Sequence, residues 1–135
     1  MLYLDTAALV KLVRREAESD ALADWLAERT DTPRVTSVVA EVELGRALRR
    51  TEPELLSGVP ALLARLYRCE IDATVRATAA AFSDPALRTL DAIHLATALV
   101  VLGDELTAFV TYDERLLASA RDRGWPVATP GRAGA

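Results

Sequence analysis

The strongest constraint in this sequence is an alternation between two kinds of periodicity. Short apolar or β-branched runs, at Met1–Leu4, Arg34–Thr36, Cys69–Ile71, Thr107–Tyr112 and Trp125–Ala128, are each separated by stretches whose apolar residues fall at helical spacing. Parallel strands cannot be joined by a tight turn and need a crossover, which a helix supplies, so the alternation implies a parallel sheet covered on both faces. The expected fold class is α/β: one domain with a central parallel sheet of about four to five short strands flanked by helices. A length of 135 residues leaves room for one such unit, over residues 1–129, and the polar and small residues 130–135 are expected to form a flexible C-terminal tail.

The helical segments follow from spacing and punctuation. Ala7–Arg14 and Glu16–Arg29 read as two helices or one bent one, with Leu22, Trp25 and Leu26 on the buried stripe. Ser37 is placed to cap a helix through Val38, Val42, Leu44 and Leu48. Pro53 suits a first turn, and Ser57-Gly58-Val59-Pro60 interrupts the pattern before Leu62, Leu63 and Leu66, which reads as a helical hairpin. Asp72 is a cap for the alanine-rich helix ending near Phe82. After Ser83-Asp84-Pro85, residues Leu87, Leu90, Asp91, His94, Leu95, Ala98, Leu99 and Leu102 share one helical face, and Gly124 is placed to stop a helix over Asp113–Arg123.

Composition removes several classes of function. One cysteine, Cys69, forms no internal disulfide, and one histidine, His94, supplies no Cys/His zinc set. No apolar run approaches the roughly 20 residues that span a bilayer. Met1 leads directly into a strand-like run without the basic and apolar segments of a secretory leader, so a cytoplasmic location is expected. Sixteen basic against twenty acidic side chains leave a net charge of −4, so any contact with a polyanion has to be local.

Three acids stand where chemistry is expected. Asp5 and Asp113 each end an apolar strand run, and open parallel sheets bind ligands beyond the carboxyl ends of their strands; either acid could equally begin the next helix as its cap. Asp91 interrupts an apolar stripe, where an ionised carboxylate is rarely found unless it is paired or binds a metal. His94 shares that face and could orient a carboxylate, touch a phosphate, or simply pack. Glu41 and Glu43 point about 200° apart on one helix, so periodicity admits only one of them to a shared site. Arg46 and Arg50 follow on the side of position 43, where they could meet a phosphate backbone or merely complement the helix dipole.

Four segments together resemble the PIN domain family and, within it, the VapC-type ribonuclease toxins of toxin-antitoxin pairs. They are Leu4-Asp5-Thr6, Thr36-Ser37 through Glu43-Leu44, Leu87 through Ala96 around Asp91, and Val110-Thr111-Tyr112-Asp113. The family's spacing of Ser, five residues and Glu selects Glu43. The chain departs from many relatives in carrying Ala7 and Ala8 where a serine is common.

The resemblance implies that Asp5, Glu43, Asp91 and Asp113 converge as catalytic and metal-binding residues. Clustered carboxylates do not ionise together without a cation, and an oxygen-only donor set suits Mg²⁺, with Mn²⁺ able to substitute. The implied reaction is hydrolysis of RNA phosphodiesters leaving a 3′-hydroxyl, with Asp5 and Asp91 as direct ligands, Asp113 direct or through water, and Glu43 a ligand or the group that positions water. Thr6 and Thr111 would support them by hydrogen bonds, and Arg14, Arg15, Arg46, Arg49 and Arg50 are candidate RNA contacts. The implied partners are a VapB-type antitoxin and a second copy in a homodimer. The alternatives are a PIN-like module that binds RNA or antitoxin without turnover, and an RNA-processing nuclease outside any toxin-antitoxin pair. Ala7 argues against a haloacid dehalogenase-type phosphatase, which needs a second Asp there, and Lys11 as the only lysine argues against a receiver domain.

Overall fold

Residues 1–133 are described, in a computed structural model. The elements run β1 (Leu2–Leu4), α1 (Thr6–Val10), α2 (Ser19–Ala27), β2 (Arg34–Ser37), α3 (Val39–Thr51), α4 (Val59–Leu63), β3 (Tyr67–Cys69), α5 (Ala73–Ala81), α6 (Thr89–Thr97), β4 (Ala108–Val110), α7 (Glu114–Asp122) and β5 (Val127–Ala128). A 3₁₀ turn at Pro53–Gly58 precedes α4. The sheet has five parallel strands in the order β3-β2-β1-β4-β5.

The central strand explains how the layers assemble. All three residues of β1 are buried, and their side chains alternate between faces. Leu2 and Leu4 pack with Ala40, Leu44 and Leu48 of α3 on one face. Tyr3 points to the other, joining Leu95, Ala98, Phe109 and Leu116, and stacks on Phe109 with ring centroids 5.2 Å apart. Chain connections leave β1 toward β2 and leave β4 toward β5, in opposite directions, so β1 and β4 flank the topological switch point.

Some local boundaries differ from the sequence expectations, each for a physical reason. Ser37 is the last residue of β2 and not the residue preceding the helix, although its Oγ still accepts from Val39 N at 3.1 Å. The third strand lies at Tyr67–Cys69, earlier than Cys69–Ile71, because β2 offers its partners there, with Val35 opposite Tyr67 and Ser37 opposite Cys69. Beyond α6 the chain widens into a π-helical turn at Ala98–Leu102, where Gly103 N bonds to Ala98 O. Leu95, Ala98 and Leu102 are buried, whereas Leu99 within the wider turn and Leu90 in the first turn of α6 are exposed, so the expected stripe is only partly covered. Asp72 caps α5 by accepting from Val75 N, and Gly124, with φ +72°, follows the end of α7.

The segment from Pro130 is tied to the domain as far as Arg132. Tyr112 Oη donates to Pro130 O at 2.8 Å, and the Arg132 guanidinium reaches Glu18 at 3.3 Å and Glu114 at 2.8 Å. Gly134 and Ala135 lie outside the described residues. No helix among the described residues is long and apolar enough to cross a membrane.

This layering makes a stability prediction. Leu44 is fully buried beneath β1, whereas Val42 on the same helix is 65% exposed. Leu44→Ala is expected to cost about 2–5 kcal/mol in denaturant unfolding, and Val42→Ala to stay within about 0.5 kcal/mol of the native chain. Equal effects would contradict the assigned core face.

Candidate active site

Asp5 leaves β1 at its carboxyl end and begins α1. Its Oδ1 accepts from Ala8 N at 2.9 Å, while its Oδ2 accepts a short hydrogen bond from the Thr111 hydroxyl just beyond β4. The side chain therefore does both things open to it from sequence: it caps a helix with one oxygen and occupies the switch point with the other. It is 2% exposed. Burial pushes its carboxyl up to about 6; His94, Thr111 and Ala8 N oppose the rise, and the negative charge of Asp113 adds to it.

Asp113 plays the same part for α7, with Oδ1 accepting from Arg115 N and Leu116 N, both at 3.0 Å. Its own N–H donates to Thr111 Oγ1 at 3.1 Å, so Thr111 connects the two strand-end acids. Asp91 approaches from the first turn of α6. Burial, then the charge of Asp113, raises its carboxyl above the usual range, and its Oδ2 is buried without a hydrogen-bond partner. Among the described residues no Lys or Arg forms an ion pair with Asp5, Asp91 or Asp113.

Glu43 comes from α3 on the opposite face of the sheet. Its Oε1 accepts from Thr6 Oγ1 at 2.7 Å and lies 2.8 Å from His94 Nε2. Burial alone would raise the Glu43 carboxyl, but the hydrogen bond and charge of His94, with the Thr6 hydroxyl, hold it below its usual range. Glu41 instead points outward to Arg68 at 2.8 Å, so the structure separates the two glutamates that periodicity left open. His94 is buried, and its Nδ1 lies 2.7 Å from Tyr3 Oη. Sequence reasoning missed Tyr3, whose position two residues before Asp5 on an alternating strand was the available signal.

The arginines divide into two groups. Arg14 is held by Glu16 and Thr51, and Arg15 by Asp20. Arg46, Arg49 and Arg50 are exposed along α3 and have no acidic partner within ion-pair distance among the described residues. Arg115, not singled out from sequence, is near enough to Asp91 for its charge to lower that carboxyl.

The donor set fits a hard divalent cation: oxygen ligands only, one buried carboxylate oxygen without a partner, and mutual repulsion expressed at Asp5 and Asp91. Among the described residues no three of these side chains share a point at coordinating distance. The acids instead act on one another at a distance: the charge of Asp113 raises the carboxyls of both Asp5 and Asp91.

The burial of Asp5 makes the sign of one pH effect definite. Asp5 in the native chain holds its proton to about pH 6, well above an unfolded aspartate, so its stabilising contribution is complete below about pH 4 and is lost as pH rises through about 6. Asp5→Asn keeps an acceptor for Ala8 N and removes the charge. In EDTA it is expected to melt roughly 4–8 °C above the native chain at pH 7.5, with the difference vanishing near pH 4. A variant that melts at or below the native chain at pH 7.5 would contradict the burial argument.

Comparison with known proteins agrees with this geometry. The PIN domain family profile matches residues 2–122. Ribonuclease VapC35 of Mycobacterium tuberculosis is 58% identical over 134 residues, covering 98% of this chain and 99% of the relative. Ribonuclease VapC46 of the same organism is 43% identical over 129 residues, 96% of this chain and 97% of its own. Among solved structures, M. tuberculosis VapC20, described as a sarcin-ricin loop cleaving toxin, superposes with a TM-score of 0.72 at 15% identity, covering 88% of this chain and 95% of its own. A toxin-antitoxin complex from Klebsiella pneumoniae gives 0.70 at 20% identity, covering 96% and 98%. The switch-point acids, the five-stranded parallel sheet and the near full-length identity agree: the chain belongs to the PIN domain family, among its VapC-type members.

Proposed function

We propose that this protein is a metal-dependent endoribonuclease, the toxin of a toxin-antitoxin pair, acting in the cytoplasm. The observation that carries the reading is a buried Asp5 and a half-buried Asp91 at the switch point, both raised by burial and by the charge of Asp113 and, among the described residues, neither in an ion pair with Lys or Arg. Such a site is destabilised as it stands and is stabilised by a divalent cation, for which Mg²⁺ is the expected species and Mn²⁺ a substitute.

Asp5 and Asp91 would hold the cation, with Asp113 direct or through water and Glu43 as a further ligand or the group that orients the attacking water. A cation bound there supplies charge neutralisation at the scissile phosphate and lowers the pKa of water. Asp5 is fixed for this by Ala8 N and Thr111, and Glu43 by Thr6 and His94, so the acids are held before substrate arrives. Exposed Arg46, Arg49 and Arg50 lie on the same helix as Glu43 and would take the phosphate backbone of RNA; Arg14 and Arg15 would first have to leave their acidic partners. RNA as substrate follows from relatives named ribonucleases, and an antitoxin partner from the fold shared with a toxin-antitoxin complex. A homodimer is proposed on family likeness.

Purified protein freed of any antitoxin is expected to cut RNA in Mg²⁺ or Mn²⁺ and to stop in EDTA. Asp91→Asn should lower the rate more than about 100-fold while melting like a folded protein. Mg²⁺ should raise the melting temperature of the native chain and leave Asp5→Asn nearly unmoved. RNA binding without cleavage in either metal would favour the non-catalytic reading.

A further inference from the structure

We infer that His94 is a positioning residue that reaches across the carboxyl edge of the sheet and fixes Glu43 so that only Oε2 is left for chemistry. The inference deepens the proposed nuclease reading and rests on it.

The two helices involved pack on opposite faces. Leu44 and Leu48 of α3 sit with Leu2 and Leu4, whereas Leu95 of α6 sits with Tyr3 and Phe109. The contact between His94 Nε2 and Glu43 Oε1, at 2.8 Å, therefore joins the two helical layers beside the acids. An ionised carboxylate has no proton to give, so Nε2 must donate. Nδ1, 2.7 Å from Tyr3 Oη, accepts the hydroxyl proton when the ring is neutral. Tyr3 stays protonated because burial holds its hydroxyl well above the usual range.

The ring has no second orientation of equal energy. A half-turn about its axis would set carbon against Glu43 and Tyr3 and strand both hydrogen bonds inside a side chain only 3% exposed. Tyr3 is itself held by stacking on Phe109, with an interplanar angle of 4°, and meets the imidazole edge-on at 5.8 Å. Thr6 Oγ1 donates to the same Glu43 oxygen at 2.7 Å, so the two lone pairs of Oε1 are both engaged. A glutamate has three side-chain torsions to order, and this anchoring orders them before any ligand binds. The strand-end sequence Tyr3-Leu4-Asp5-Thr6 thus contributes the anchor of the histidine, an acid of the site, and the second anchor of the glutamate.

The test compares His94→Leu, His94→Gln and Tyr3→Phe in the full chain. Readouts are Mn²⁺ affinity, from free Mn²⁺ by electron paramagnetic resonance, and kcat and KM for RNA cleavage. His94→Leu is expected to weaken Mn²⁺ binding and lower kcat by about 10-fold or more, with KM within about two-fold. His94→Gln retains an N–H for Glu43 and should recover most of both losses, although it cannot restore the bond to Tyr3. Tyr3→Phe, which leaves the Glu43 contact and frees the ring, should fall between native and His94→Leu. Equal losses in the Leu and Gln variants would reduce His94 to a packing residue and overturn the inference. Native Mn²⁺ binding and cleavage retained by His94→Leu would overturn it while leaving the nuclease reading in place. A native chain that binds no Mn²⁺ and cuts no RNA would overturn both.

Discussion

A buried carboxylate, Asp5, set near the half-buried Asp91 and Asp113 at the carboxyl edge of β1 and β4 is the constraint on which the rest of the architecture depends. Taking a carboxylate out of water is costly, and setting it near others is more costly still. Among the described residues no Lys or Arg ion pair offsets that cost at Asp5, Asp91 or Asp113; such pairs go to Glu16, Glu18, Asp20, Glu28, Glu41 and Glu114. The chain uses fixed dipoles instead: the N–H groups at the starts of α1 and α7, and the hydroxyls of Thr6 and Thr111. These partners hold Asp5, Asp113 and Glu43 in place without cancelling their charge, which is why the proposed function includes a cation.

The same economy explains why capping and function coincide. A cap requires one carboxylate oxygen at the end of a strand where a helix begins. In a doubly wound sheet that position is also the mouth of the switch point. Asp5 and Asp113 each commit one oxygen to backbone N–H groups, and Glu43 commits one to Thr6 and His94. Asp5 commits its second oxygen to Thr111 as well, so the fold fixes these acids one by one, and Asp91 enters from a helix on the Tyr3 face.

What could be read from the sequence follows the range of the interactions involved. The end of β1 at Asp5, the caps at Asp5, Asp72 and Asp113 and the stop at Gly124 are local signals between neighbouring residues and agree with the structure, whereas β4 pairs only over Ala108–Val110 and ends three residues before Asp113, short of the expected Thr107–Tyr112. The choice between Glu41 and Glu43 could not be made from periodicity, because what separates them is contact with Thr6 and His94, 37 and 51 residues away. The three roles open to His94 from sequence could not be separated for the same reason: its partners lie on β1 and α3. The expected stripe departs from the structure at Leu99, where the chain makes a π turn that a straight helical period does not include, and at Leu90, which is exposed in the first turn of α6. The third strand was misplaced because its position is set by pairing with β2 and not by its own weak propensity.

The central claim, that a divalent cation closes the acid cluster, is tested most directly by anomalous diffraction from crystals equilibrated with Mn²⁺. A peak about 2.1 Å from carboxylate oxygens of Asp5 and Asp91, absent from Asp5→Asn crystals, is the expected result. Crystals that show no anomalous peak among these acids at millimolar Mn²⁺, or one bound only at peripheral glutamates, would contradict the account.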